Sequence, residues 1–237
     1  MQLVNQQLRR GGGGQGYAAK SLCRIAQRAK VTGLHSLQLE WMERAVEIAP
    51  SDGWAHGQAA DAYLYYGRLD EAARELALAE KCGERRYAQV GRARILRLQC
   101  RYEDALALLQ QVKQEFEGDE NEAIAWANEA EVLRDMWRFQ DALEIYDQAV
   151  RKFQDEPVVR CGRAAVIADL GRYREAIEAY TRCIVELGPD EFSLNGRTHI
   201  RLELGNFDDA MSDYEEAVKR FPQSVLLPGA ELPRFAK

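Results

Sequence analysis

The chain has 237 residues, 46% apolar and 30% charged with only six prolines, which excludes a disordered polypeptide and leaves long stretches open to helix formation. Its formal charge of −6 disfavours a general nucleic-acid binder, which needs a surplus of lysine and arginine to neutralise phosphates. No window approaches the run of about 18 apolar residues that would read as a membrane span, and the first thirty residues lack the apolar block of a secretory signal. A soluble, cytoplasmic chain is the expectation. The five cysteines form no CxxC pair and no regular spacing with histidine, so neither a disulfide framework nor a metal site is expected, and they read as small buried apolar residues.

Residues 1–18 read as a loose basic, glycine-rich arm. Gly11, Gly13 and Gly16 fit GxGxxG, but the preceding Leu3–Arg10 is polar and no strand follows, so a flexible linker is favoured over a dinucleotide turn. Six basic residues and no acidic one precede Glu40 (Arg9, Arg10, Lys20, Arg24, Arg28 and Lys30). They balance the acidic body, or bind an acidic partner, nucleic acid or anionic lipid, or form an organelle-targeting segment.

From residue 19 onward one unit recurs. Gly67-Arg-Leu-Asp-Glu-Ala72 is followed by Arg101-Tyr-Glu-Asp-Ala105, Arg138-Phe-Gln-Asp-Ala142, Arg172-Tyr-Arg-Glu-Ala176 and Asn206-Phe-Asp-Asp-Ala210, with the closing alanines 33, 37, 34 and 34 residues apart. An earlier copy ends at Ala45-Val-Glu-Ile-Ala-Pro50, with Gln38 where the others have alanine and Gly33 in register with Gly67. The repeats fall at 19–52, 53–86, 87–122, 123–156, 157–190 and 191–224, leaving a tail of 225–237. In the fifth, Val159, Ala164 and Ile167, then Ile177, Tyr180 and Ile184, recur at helical intervals on either side of Gly171, which suits the left-handed end of a first helix. Pro50, Pro189 and Pro222 stop second helices.

The spacing, with its small-residue, aromatic, alanine and proline marks, resembles the tetratricopeptide repeat family. Trp126, Ala130, Leu133, Phe139, Ala142, Tyr146 and Ala149 occupy most of the family pattern in the fourth unit. Cys100 and Trp137 stand where the helix-joining glycine belongs, which predicts two differently shaped turns. The resemblance implies an all-α, right-handed α-solenoid of six helix pairs, because no single pair buries both of its apolar faces. It also implies a non-catalytic scaffold or adaptor for protein–protein interaction, whose first helices line a concave groove.

On that implied groove fall the apolar anchors Trp54, Tyr65, Tyr87, Ile124, Val158 and Phe192 and a basic centre of Arg94, Arg97 and Arg134. Asp61, Glu131, Asn195 and His199 lie on the same face, and the arginines pair with Asp61, Glu131 or Asp135 if they are structural. Such a face suits a peptide carrying apolar side chains and a carboxylate. The lysine and asparagine with which chaperone adaptors of the family clamp a terminal carboxylate are absent; Cys23 and Gln27 hold those places.

His35, His56 and His199 lie in different repeats and no nucleophile motif accompanies them, so neither a catalytic constellation nor a cofactor is expected. The carboxylates read as a solvated helix surface, including Glu175 beside Glu178 and Arg182, and Glu115–Glu122 as an acidic loop that is solvated or contacts a basic partner. Gly91-Arg92, Gly162-Arg163 and Gly196-Arg197 recur at one place in three repeats and suggest close helix contact, with the arginine stem lying along the next unit. The exposed last pair predicts self-association through the carboxyl-terminal end or an origin in a longer polypeptide, with Val225, Leu226 and Leu227 covering part of it. Three other readings remain: a sensing region of a signalling protein, a substrate-selecting region of an enzyme, and nucleic-acid binding through Arg85, Arg86, Arg92, Arg94, Arg97 and Arg101.

Overall fold

The computed structural model describes residues 12–31, 35–118 and 122–221. Among them are twelve helices and no strand: α1 (Gly12–Val31), α2 (His35–Ile48), α3 (Gly53–Tyr65), α4 (Leu69–Lys81), α5 (Arg85–Leu98), α6 (Tyr102–Glu115), α7 (Glu122–Asp135), α8 (Phe139–Lys152), α9 (Pro157–Asp169), α10 (Tyr173–Leu187), α11 (Glu191–Glu203) and α12 (Phe207–Arg220). Odd-numbered helices are the first of each pair and even-numbered the second. The helix α1 begins inside the segment expected as a loose arm, and Gly13 and Gly16 are helical residues, not a linker. Ala18, Ala19, Leu22, Cys23 and Ala26 give that helix a buried face, and packing on this face outweighs the low helix propensity of its glycines. Gly33 and residues 222–237 lie outside the described residues.

The chain divides into two compact units, Met1–Phe116 and Glu117–Lys237. In each, consecutive helices pack as antiparallel neighbours and first helices also touch first helices (α1 with α3, α3 with α5; α7 with α9, α9 with α11). Second helices do not meet one another among the described residues. Within a unit the row of pairs therefore bends with the first helices on the inside.

Small residues set these close approaches. The alanines that close the repeat motif, Ala72, Ala105, Ala142, Ala176 and Ala210, are all buried, as are Ala60, Ala93, Ala130 and Ala164 on the first helices. The recurring arginine and acid of the motif are an ion pair across the start of four second helices, α4, α6, α8 and α10: Arg68–Glu71, Arg101–Asp104, Arg138–Asp141 and Arg172–Glu175, at 2.6–2.7 Å. The acid sits in the first turn, where the helix dipole favours negative charge. Glu175 is thus committed to Arg172.

The two turns lacking glycine do not differ in shape. Cys100 and Trp137 take φ values of 58° and 60°, beside 69°, 73° and 75° at Gly67, Gly171 and Gly205. In all five turns the left-handed residue donates to the carbonyl three residues back, and the next residue to the carbonyl five back: Gly67 to Leu64 and Arg68 to Tyr63, Trp137 to Arg134 and Arg138 to Leu133. Those paired hydrogen bonds hold the geometry even where a side chain makes it cost about 1–2 kcal/mol. Trp137 is left 80% exposed, its ring tilted against Phe139 at 5.6 Å.

The Gly-Arg repeats have a packing role. A Cβ on Gly91 would lie 2.5 Å from Leu76, on Gly162 2.2 Å from the Tyr146 hydroxyl, and on Gly196 2.3 Å from Tyr180. Each glycine admits a large side chain of the preceding second helix. The arginines reach back instead of forward: Arg92 pairs with Glu80 and Arg163 with Asp147, both on the preceding repeat. Arg197 bonds Thr181 on the preceding repeat at 3.0 Å and Asp213 at 2.6 and 2.8 Å, a carboxylate that also receives Arg201 at 2.6 Å. Asp213 is therefore a buried exception to the solvated carboxylates expected.

Glu122, expected in a solvated loop, is 2% exposed. It accepts from Lys152 at 2.5 Å, the Gly118 N–H at 2.8 Å and Trp126 Nε1 at 3.0 Å. Burial alone would raise its pKa; the lysine ammonium and these donors overcome that and leave it below the usual glutamate value. Nor are all cysteines buried: Cys23, Cys161 and Cys183 are, Cys82 is half-buried, and Cys100 is exposed because it occupies a turn. Burial pushes the Cys23 thiol up to about 12.

Candidate functional site

The residues expected on the first-helix face divide between the units. In the first, α3 carries Trp54, Asp61 and Tyr65 and α5 carries Tyr87, Arg94 and Arg97. Asp61 sits at the centre, accepting hydrogen bonds from the Tyr87 hydroxyl and from Arg94 Nη1, the latter at 2.5 Å. The Tyr87 ring lies against Gly57, where a Cβ would come within 2.8 Å of it. Burial and the neighbouring Asp61 carboxylate push the Tyr87 phenol well above its ordinary value. Tyr87 is an inter-helix packing residue, not a free anchor, and Trp54 is half-buried against the core. Tyr65, 44% exposed, stands edge-on to Tyr66 at 5.0 Å. Arg97 is half-buried on α5.

In the second unit, Ile124, Val158 and Phe192 occupy equivalent places near the starts of α7, α9 and α11, 34 residues apart, and are 43%, 45% and 65% exposed. Three large apolar side chains in register and facing water stand out in helices whose other apolar residues are buried or half-buried. Eleven residues further on stand Asp135, Asp169 and Glu203, all exposed. Eleven residues are about three turns, so each carboxylate shares a helix face with its apolar partner and lies roughly 16 Å along the axis from it. The two columns form one surface, apolar at one edge and acidic at the other. His199 is exposed and Asn195 half-buried on this face of α11.

Arg134 is not a free cation on this surface. Its Nη1 holds Glu131 at 2.9 Å and its Nε holds Asp169 at 2.7 Å, joining α7 to α9, while Glu131 also accepts from the buried Tyr146 hydroxyl at 2.9 Å. These carboxylates and hydrogen bonds overcome desolvation and raise the guanidinium pKa further. The expected basic centre of Arg94, Arg97 and Arg134 is accordingly corrected: Arg94 and Arg134 are committed to carboxylates of neighbouring helices, and the structural alternative holds for both. The arginines of the third repeat are likewise matched, Arg85 with Glu115, Arg92 with Glu80, Arg94 with Asp61 and Arg101 with Asp104. The acidic column escaped the sequence reading, although the 34-residue recurrence of Asp135, Asp169 and Glu203 was there to be seen.

Among the described residues no group of three or more His, Cys, Asp or Glu side chains could hold a metal ion, and no helix is long and apolar enough to cross a membrane. His56 is buried between Glu75 at 2.6 Å and the Pro50 carbonyl at 3.0 Å, a structural bridge.

Two family models, both described as tetratricopeptide repeat, match residues 127–191 and 200–224. Solved structures agree in fold. A tetratricopeptide repeat protein from Parabacteroides merdae is 13% identical, with 96% of this chain and 98% of that one covered at a TM-score of 0.65. Yeast Tom70 is 14% identical over 92% of this chain and 54% of its own, at 0.64. PilF of Pseudomonas aeruginosa is 20% identical over 90% and 96%, at 0.53. No curated protein matches the sequence. With the helix pairs, buried alanines and joining turns described above, these identify tetratricopeptide repeats at residues 127–191 and 200–224, in a chain whose fold is shared with tetratricopeptide repeat proteins.

Proposed function

We propose that this protein is a non-catalytic protein-interaction scaffold and that the first-helix face of its second unit holds a partner segment carrying apolar and basic side chains. The observation that carries this reading is the paired columns, Ile124, Val158 and Phe192 beside Asp135, Asp169 and Glu203, repeated on three successive helices. Burying three such apolar side chains yields several kcal/mol, and Asp135 and Glu203, with Asp169 already holding Arg134, bias the face toward cationic partners. A partner carboxylate, the earlier expectation, would meet Glu131, Asp135, Asp169 and Glu203 with Arg134 already paired, so like charges oppose it.

A phage-displayed peptide library panned on the full chain tests this. Enriched sequences should combine apolar residues with lysine or arginine and be lost when Ile124, Val158 and Phe192 are changed together to serine. Enrichment of acidic peptides, or identical selection by the variant, would overturn the assignment. The sensing and substrate-selecting readings use the same face.

A further inference from the structure

The second helices α8 and α10 do not touch, and beside the flank of α9 a cavity of about 720 Å³ opens between them. Four arginines line it: Arg151 from α8, Arg160 and Arg163 from α9, and Arg182 from α10. Three carboxylates face them, Asp147, Asp155 and Glu186, so the walls carry a cationic surplus in a chain whose net charge is −6. None of the residues of the paired columns takes part.

The guanidinium groups are unequally engaged. Arg163 Nε holds Asp147 at 2.6 Å, and Arg160 is paired with Glu186. Arg151 gives its Nε to the Asp147 backbone carbonyl at 3.0 Å, a bond that neutralises no charge. Arg182 is exposed and forms no ion pair among the described residues. Arg151 and Arg182 thus face the cleft without an ion pair, opposed by Asp155, which leaves a surplus of one positive charge, while Arg160 and Arg163 are held by Glu186 and Asp147. The planar fork of arginine matches the oxygens of a phosphate in bidentate fashion. The space, an open cleft, greatly exceeds one phosphate, and Val150, Ala179 and Cys183 supply apolar wall.

We propose that this cavity is a second binding site, independent of the first-helix face, for a small molecule that joins a phosphate group to an organic body. Arg151 and Arg182, together one charge in excess of Asp155, draw the phosphate in. Arg160 and Arg163 add donors once it has entered.

Isothermal titration of the full chain with inorganic pyrophosphate, a probe of the phosphate half alone, tests the site, with citrate as a carboxylate probe of similar charge. The expected result is saturable one-site binding of pyrophosphate, at least tenfold tighter than citrate. It should weaken at least tenfold in the double variant Arg151→Glu, Arg182→Glu, whose helix content by circular dichroism stays that of the wild type. Arg182→Gln alone, a change at an exposed position, should weaken it severalfold and serves if the double variant loses helix. Absence of saturable binding, equal affinity for citrate, or undiminished binding by these variants would overturn the proposal.

Discussion

Replacing Gly162 by alanine isolates the contact on which the repeat stack depends. On helix propensity alone the change should stabilise α9 by about 1 kcal/mol. The added Cβ, however, would stand 2.2 Å from the Tyr146 hydroxyl and 2.3 Å from its Cζ. That ring is 1% exposed and its hydroxyl is bonded to Glu131, which in turn holds Arg134. Moving it costs about 1–3 kcal/mol of overpacking and a further ~1.5–3 kcal/mol for a hydrogen bond to a charged group. The net expectation is a loss of roughly 2–4 kcal/mol, read as a lower urea midpoint by far-UV circular dichroism. Combining Gly162→Ala with Tyr146→Leu should recover part of the loss, because the second change vacates the space the Cβ needs. A Gly162→Ala variant as stable as the wild type, or more stable, would refute the view that glycine is there to admit Tyr146.

Other outcomes follow from particular residues. Cys100→Gly removes the side chain from a left-handed turn while losing no packing and should raise stability by about 0.5–1 kcal/mol, a rise of roughly 1–4 °C in midpoint by calorimetry; an unchanged or lower midpoint would mean the turn carries no strain. Asp213→Ala leaves Arg197 and Arg201 uncompensated in a buried setting and should cost ~3–5 kcal/mol in urea unfolding, whereas a loss under 1 kcal/mol would make the pair dispensable. Glu122 has a lowered pKa, so its contribution is present above the usual glutamate value of 4.5 and is lost as pH falls through the lower folded-state value. The stability gap between wild type and Glu122→Gln should accordingly close on acidification across that window, and a gap that persists at the lowest pH would assign Glu122 a role other than charge.

The repeat was legible in the sequence because it rests on backbone spacing and small residues, both of which read directly as letters. Ala72, Ala105, Ala142, Ala176 and Ala210 marked the helix pairs before any coordinate was known, and the buried alanines are where those marks predict. What escaped was decided by contact across helices. Cys100 and Trp137 look like broken turns until the hydrogen bonds show the same left-handed geometry as at Gly171. For Arg94 and Arg134 the sequence offers Asp61, Glu131 and Asp135 as partners without deciding that they pair, and it does not suggest Asp169, 35 residues from Arg134. The first helix was cut short by the glycines at 12–14, whose low propensity is outweighed by the buried face that follows. The acidic column was hidden for the opposite reason: single aspartates and glutamates are common on helix surfaces, and only their register with Ile124, Val158 and Phe192 distinguishes these three.

Hydrogen exchange tests the central claim most directly, comparing the full chain alone with the chain bound to the peptide most enriched in panning. Protection confined to the first helices α7, α9 and α11, and abolished when Ile124, Val158 and Phe192 are serine, is the predicted result. Protection appearing instead on α8, α10 and α12, or in the first unit alone, would contradict it.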